Sequence, residues 1–206
     1  MAELPSQDPI VGRALGQRLI AESRLHGRRI ERLTALDLDF GDAPPAQGVL
    51  RRHAGDLADP AWLNAVLAGP PVDVVFHLAS IPGGSAETNY PLARRVNLDA
   101  TVDLLERGQA QVAAGGPPPV FVFASSIAVF GVMPPIITDD TLPRPAMTYG
   151  AQKLIGEIQV QDFSRRSWVD GRSLRIPGVL ARPPARTGQL SAFLSDIIRE
   201  LAAGRP

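Results

Sequence analysis

The chain has 206 residues, which suits one domain, or one domain and part of another. Its 21 basic residues balance 21 acidic ones, which excludes a global field that would draw in nucleic acid or an anionic membrane. There is no cysteine, so disulfides, thiolate nucleophiles and cysteine-based zinc sites are excluded, and no apolar run is long enough to span a bilayer.

Asp8-Pro9 reads as a helix start, with Asp8 as N-cap and Pro9 in the first turn. That helix is expected to run to about His26, with Gly27 as its stop and Val11, Ala14, Leu15 and Leu19 as its apolar face. Strands are expected at 33–38 and near 49–53, on either side of a proline-rich loop. Asp59-Pro60 starts another helix, ended by Gly69-Pro70-Pro71. An apolar strand at 72–79 then opens into a loop at Gly83-Gly84. A long helix covers about Leu92 to Ala113 and is stopped by the glycines and prolines of 115–119. A strand at 120–125 and a proline-bearing loop at 131–147 follow. The helix of Tyr149, a strand at 173–176 and a helix over about 191–203 complete the chain. This alternation predicts an α/β fold: a Rossmann-like, doubly wound parallel sheet with helices on both faces. The N-terminus lacks a basic region followed by a hydrophobic core, so a cytoplasmic protein is expected.

Three segments carry candidate chemistry. Tyr149 and Lys153 are four residues apart, which puts a phenol and an ammonium on one helix face. A nearby cation favours phenolate, and a phenol of lowered pKa can exchange a proton with a substrate alcohol. The apolar run Val120 to Phe123 leads into Ser125-Ser126, two hydroxyls at a strand's carboxyl end, where open α/β sheets gather functional groups. One serine is a catalytic candidate; turn chemistry is the plainer role for both. His77-Leu78-Ala79-Ser80 ends the strand before the glycines.

His77-Leu78-Ala79-Ser80, Asn97, Ser125-Ser126-Ile127-Ala128-Val129-Phe130-Gly131, Tyr149-Gly150-Ala151-Gln152-Lys153 and Leu174-Arg175-Ile176-Pro177 occur in one order. In this the chain resembles the extended short-chain dehydrogenase/reductases, the NAD-dependent epimerase/dehydratase family. Ser164-Arg165-Arg166, Val169-Asp170-Gly171 and Ile197-Ile198-Arg199-Glu200 make it most similar to the D-erythronate dehydrogenase branch. The resemblance implies an NAD-dependent oxidoreductase of carbohydrate metabolism that oxidises a hydroxyl of a small sugar acid or hydroxy acid. Tyr149 would exchange the proton. Lys153 would lower the Tyr149 pKa and hold the nicotinamide ribose, and Ser126 would bond the reacting oxygen. Gly12, Asp37, Asp56, Leu57, Leu78, Ala79, Ser80, Asn97, Tyr149, Lys153 and Pro177 would serve the cofactor, and Ser126 and Arg182 the substrate. Asp37, at a strand end, suits ribose hydroxyls and NAD over NADP, with Asp39 as a competing candidate. For Asp56 the competing role is a simple turn. The implied partners are a small-molecule substrate, with no nucleic acid and no membrane, and a homodimer is the candidate assembly. A nucleotide-sugar epimerase is the alternative within the fold; a truncated, non-catalytic protein acting by association is the alternative outside it.

Other residues read plainly. His26, His53 and His77 have no short ligand spacing, so no metal site is expected. Trp62 and Trp168 read as packing residues, and Arg165-Arg166 as a solvated helix end.

Both termini depart from the family pattern. Of a Gly-x-x-Gly-x-x-Gly cradle only Gly12 matches, and Leu4 to Pro9 hold two prolines and no apolar run. The first strand is therefore expected to be absent, leaving its two neighbours without a shared partner. Residues 1–180 are expected to form an N-terminally incomplete NAD(P)-binding domain, and 181–206 the start of a truncated substrate-binding region.

Overall fold

The structure, a computed structural model, describes residues 10–41, 46, 48–178 and 192–204. Two compact units divide the chain between residues 69 and 70. The expected helix start at Asp8-Pro9 lies outside the described residues. The fold is α/β and Rossmann-like, with parallel strands joined by helices.

In the first unit, helix α1 spans Ile10–Glu22. Only Leu19 of its expected apolar face is buried; Val11 is 39% exposed. The helix ends earlier than expected because Ser23, His26 and Gly27 have positive φ, which folds β1 (Arg24–Leu25) against β2 (Arg28–Arg29) as a small antiparallel hairpin. Strands β3 (Leu33–Asp37) and β4 (Leu50–Ala54) pair in parallel, with Leu33 opposite Leu50 and Asp37 opposite Ala54. Helix α2 (Pro60–Val66) starts as the sequence predicts. The Asp59 side chain caps it by accepting from the amides of Ala61 (2.9 Å) and Trp62 (3.2 Å).

The second unit holds a three-stranded parallel sheet in the order β5 (Val74–His77), β6 (Val120–Ser126), β7 (Asp170–Ile176). The first strand expected to be absent falls on residues 1–9, outside the described residues; β3–β4 and β5–β6–β7 are separate sheets. β6 is paired on both sides and has no exposed residue, which is why it reads as an unbroken apolar run. Phe121 and Phe123 are wholly buried on one of its faces. β7 begins three residues before the predicted strand. Its early part, Asp170 to Ser173, is largely exposed, as befits a polar edge strand with no apolar signal.

β5 is shorter than predicted. The Gln111 side chain intercepts the peptide of Val72, accepting from its N–H (2.8 Å) and donating to its C=O (3.1 Å). The segment after β5 contains α3 (Gly83–Thr88), where the sequence suggests a glycine loop. Wholly buried Ala86 fixes that short helix. The predicted helix over 92–113 is three pieces: α4 (Tyr90–Arg94), a π-turn at Arg95–Asp99, and α5 (Ala100–Ala113). Helix α6 (Thr148–Arg165) crosses β6 closely. A Cβ on Gly156 would lie 2.6 Å from the Phe123 ring. Helix α7 (Ala192–Ala202) is the last element. No helix among the described residues is long and apolar enough to cross a membrane.

His77, at the end of β5, is buried and neutral. Thr101 donates its single hydroxyl hydrogen to the Asn97 carbonyl (2.9 Å), so His77 Nε2, also 2.9 Å from that oxygen, must carry the proton it shares with Thr101. Burial first, and then the Lys153 charge, lowers the His77 pKa from 6.5 to about 3. Between those values the unfolded chain binds more protons than the folded one, so stability falls as pH drops from 6.5 towards 3. A His77→Gln chain, which keeps an N–H donor without a titrating group, is expected to lose less stability over that interval. Melting temperatures taken in pH steps test this; parallel acid limbs would contradict it.

Candidate active site

The second unit gathers one cluster of chemically capable side chains. Tyr149 lies in the first turn of α6, and its hydroxyl shares hydrogen bonds with the side chains of Ser80 and Ser126. Its ring packs beside Ile81, Ala86 and Ala93. Two features hold α6 in place. Glu87 of α3 accepts from the amide of Thr148, supplying an end cap that Met147 does not. Gly150 lies against the turn after β6, where a Cβ would stand 2.3 Å from the Ala128 carbonyl oxygen. No larger residue would let Tyr149 come as close to Ser126.

The two serines at the end of β6 point to different partners, as strand alternation requires. Ser126 is half-buried, faces Tyr149 and accepts from the Ala128 amide at 3.2 Å. Ser125 is buried and donates to Glu157, which Arg175 binds through two nitrogens at 3.0 and 2.8 Å. Ser125 thus belongs to an ion-pair network that ties β6, α6 and β7 together.

Lys153 is almost wholly buried, with Nζ 4.8 Å from the Phe123 ring centroid and 5.7 Å from that of Tyr149. Burial lowers its pKa from 10.5 to about 7. Burial also raises the Tyr149 phenol above its ordinary value, and the Ser80 and Ser126 hydrogen bonds offset only part of that rise. The expectation that Lys153 depresses Tyr149 is therefore not met in this geometry. Desolvation disfavours both charged forms, and it outweighs the other effects.

Asn97 is buried on the π-turn. It binds the Ile81 peptide twice, accepting from the N–H at 2.7 Å and donating to the C=O at 3.0 Å, and it donates to Gln152 Oε1 at 2.7 Å. Leu78 is half-buried and Ala79 exposed in the segment that leads from β5 to Ser80. Pro177 is exposed just after β7. It lines an open groove of about 530 Å³ with Glu157, Ser173, Leu174, Arg175 and Ile176. That groove does not include Tyr149, Lys153 or Ser126, and its charged lining is already paired. The tyrosine cluster is therefore the candidate site. Arg182 lies outside the described residues.

The remaining expected residues belong to the first unit. Gly12 is in the first turn of α1. Asp37 closes β3 half-buried. Burial raises its carboxyl above the ordinary value and the Asp39 charge adds to that, against the amides of Leu38 and Asp39 and the Arg13 guanidinium. A carboxylate so placed has acceptor capacity to offer hydroxyl donors, and in this it fits a ribose diol. Asp39 is exposed and bonds back to the Gly41 amide at 2.8 Å. Asp56 is exposed and accepts from the Ala58 amide at 2.9 Å, the turn chemistry that competed with its cofactor role; Leu57 is half-buried. Sequence reasoning missed Glu87, Thr101, Gln152 and Glu157. No short motif marks the first two. The Arg175 partner of Glu157 and the helix position of Gln152 beside Lys153 were readable, but neither announces a role.

The NAD dependent epimerase/dehydratase family matches residues 10–206. D-erythronate dehydrogenase of Cupriavidus necator is 43% identical over 180 residues, 85% of this chain and 52% of that protein. The Haemophilus influenzae protein of the same name is 33% identical over 191 residues, 92% of this chain and 58% of its own length. Among solved structures, a nucleoside-diphosphate-sugar epimerase from Agrobacterium tumefaciens superposes with a TM-score of 0.84 at 37% identity, over 93% of this chain and 56% of that one. L-threonine dehydrogenase from Clostridium difficile gives 0.76 at 25% identity, over 96% and 61%. The chain spans about half the length of the curated relatives it matches. With a Rossmann-like fold and this match over nearly its whole length, the chain belongs to the NAD dependent epimerase/dehydratase family.

Proposed function

We propose that this chain is the cofactor-binding and proton-transferring part of an NAD-dependent oxidoreductase that oxidises a hydroxyl of a small sugar acid or hydroxy acid, of the D-erythronate class. The observation that carries the reading is the Tyr149 hydroxyl, bonded to Ser80 and Ser126 beside buried Lys153. The names of the two relatives support the substrate class. Bound NAD supplies the hydride acceptor. In this reading Asp37 receives the adenine-side ribose hydroxyls, and Lys153 reaches the nicotinamide ribose. Ser126 bonds the substrate oxygen and keeps it in line with Tyr149. Tyr149, as phenolate, takes the alcohol proton, and the ammonium form of Lys153 stabilises that phenolate in a site of low dielectric. Residues 181–206, with Arg182 as the carboxylate-binding candidate, belong to the substrate side of the proposal.

Tyr149→Phe removes the transferable proton and little else. It is expected to lower kcat by about a thousandfold or more, at the level of a lost general base, with NAD affinity within about twofold of the parent. Lys153→Met is expected to impair both. Initial rates with D-erythronate, alongside calorimetric NAD titration, test the pair; a Tyr149→Phe chain with near-parental kcat would remove Tyr149 from the mechanism.

Asp37 faces a 2′-phosphate with like charge, so kcat/KM is expected to favour NAD over NADP, and Asp37→Asn to narrow the ratio. A parent preference for NADP would contradict this role.

Lys153 also makes a stability prediction. Its folded pKa of about 7 lies below its ordinary 10.5. Between these values the unfolded chain binds more protons, so stability rises with pH from about 7 to 10.5 and carries the full desolvation penalty below 7. Lys153→Met is therefore expected to be more stable than the parent at pH 6, by roughly a few kcal/mol, with the gap closing towards pH 10. Denaturant unfolding at both pH values reads the difference; a gap independent of pH would contradict the assignment.

A further inference from the structure

We propose that Gln152 is a positioning residue, which fixes the Asn97 carboxamide that holds Ile81 and thereby sets Ser80 against the Tyr149 hydroxyl. The proposal rests on the oxidoreductase reading for its catalytic consequence, but its geometry stands apart from it. The Ile81 N–H can only donate and its C=O can only accept. Asn97 must therefore present Oδ1 to the first, at 2.7 Å, and Nδ2 to the second, at 3.0 Å. The second Nδ2 hydrogen then points at Gln152, 2.7 Å away, and demands an acceptor there. Gln152 accordingly turns Oε1 to Asn97. Its Nε2 is left buried without a protein partner.

That orientation carries the desolvation cost of an unmet buried donor. An apolar residue would avoid the cost but could not hold Asn97. The acceptor is what Gln152 contributes at this place. Gln152 is 2% exposed and adjoins Lys153 on α6, so the bond closes a ring. From α6 it passes through Gln152 and Asn97 to Ile81, then along the chain to Ser80, and through the Ser80 hydroxyl back to Tyr149 on α6. Opening the ring at Gln152 frees Asn97 to rotate. The Ser80–Ile81 segment then loses its defined distance from Tyr149.

The test compares Gln152→Met, which has similar length and no oxygen acceptor, with Gln152→Glu, which keeps an acceptor towards Asn97. In the isotope-labelled full chain, the Ile81 amide is expected to exchange with solvent about tenfold faster in Gln152→Met, as for a lost hydrogen bond of about 1.4 kcal/mol. The Tyr149 ring resonances should shift, and the Phe123 amide in β6 should keep its parental exchange. Gln152→Glu is expected to restore both signals. In turnover, Gln152→Met should lower kcat about tenfold with KM for NAD within about twofold. Parental Ile81 exchange in Gln152→Met, or faster exchange spread evenly through β6, would overturn the proposal. If Gln152→Met fails to fold, Gln152→Ala makes the same test with a smaller side chain. The exchange measurement needs no turnover, so a chain that oxidises nothing defeats the oxidoreductase reading and leaves this test standing.

Discussion

Two carboxamides, each clamping one peptide, bound the short strand β5, and the site depends on the second of them. Gln111 holds Val72 before the strand, and Asn97 holds Ile81 after it. Each clamp reproduces with one side chain the donor–acceptor pair that a neighbouring strand would supply. A buried peptide needs such a partner, since leaving either group unmet costs more than a typical net hydrogen bond gains. The clamps also stop strand pairing. β5 runs only from Val74 to His77, and the chain is free to turn at Ser80 and form α3. Asn97 can reach Ile81 because a π-turn inserts an extra residue at Arg95–Asp99. Such turns are disfavoured in themselves and persist where tertiary bonds select them. Here the selecting bonds are those to Ile81, Gln152 and, through the Asn97 carbonyl, Thr101 and His77.

Close approach of α6 to β6 supplies the second constraint. Gly150 and Gly156 bring the helix against the Ala128 carbonyl and the Phe123 ring. The same approach encloses Lys153 and displaces its pKa. A larger residue at either glycine would relieve the lysine's desolvation only by moving Tyr149 away from Ser126. The closeness of Tyr149 to Ser126 and the depressed lysine are thus two results of one packing arrangement. The Glu87 cap on Thr148 adds a charge at the helix end where the macrodipole favours it, and it ties that end to the segment carrying Ser80.

Much of this was legible in the sequence where one physical signal dominated. The apolar run of β6, the Asp59 cap of α2 and the helical spacing of Tyr149 and Lys153 each report a local preference that the fold leaves in place. The departures occur where tertiary bonds override local preference. The run 92–113 reads as one helix up to its stop at 115–119, and a local helical preference cannot show a single inserted residue. Gly83-Gly84 suggests a loop, yet burial of Ala86 draws the segment into α3. Val72 belongs to an apolar strand pattern, but a side chain 39 residues away takes its peptide. The direction of the Tyr149 shift was not legible either. A phenol–ammonium spacing reports proximity, whereas burial, which governs both pKa values here, arises only once α6 lies against β6.

Tyr149, Lys153 and Asp37 share one electrostatic feature that bears on the proposed chemistry. In each, desolvation is the largest cause of the pKa displacement, and it acts against the charged form that function would use. Phenolate, ammonium and carboxylate are all disfavoured by burial before any ligand arrives. Ribose hydroxyls would supply donors to Asp37 and acceptors to Lys153, and a substrate alcohol would add a donor for the phenolate. Each such bond favours the charged state of its partner. Binding and charging would therefore be coupled: each ligand bond offsets part of the desolvation that disfavours the charged form of its partner. By linkage, NAD and substrate should shift the lysine upward and the tyrosine downward together, since an ammonium beside a phenolate stabilises both. The raised phenol of the free chain is, on this argument, compatible with the proposed role of Tyr149, whose phenolate would form only once ligands are bound.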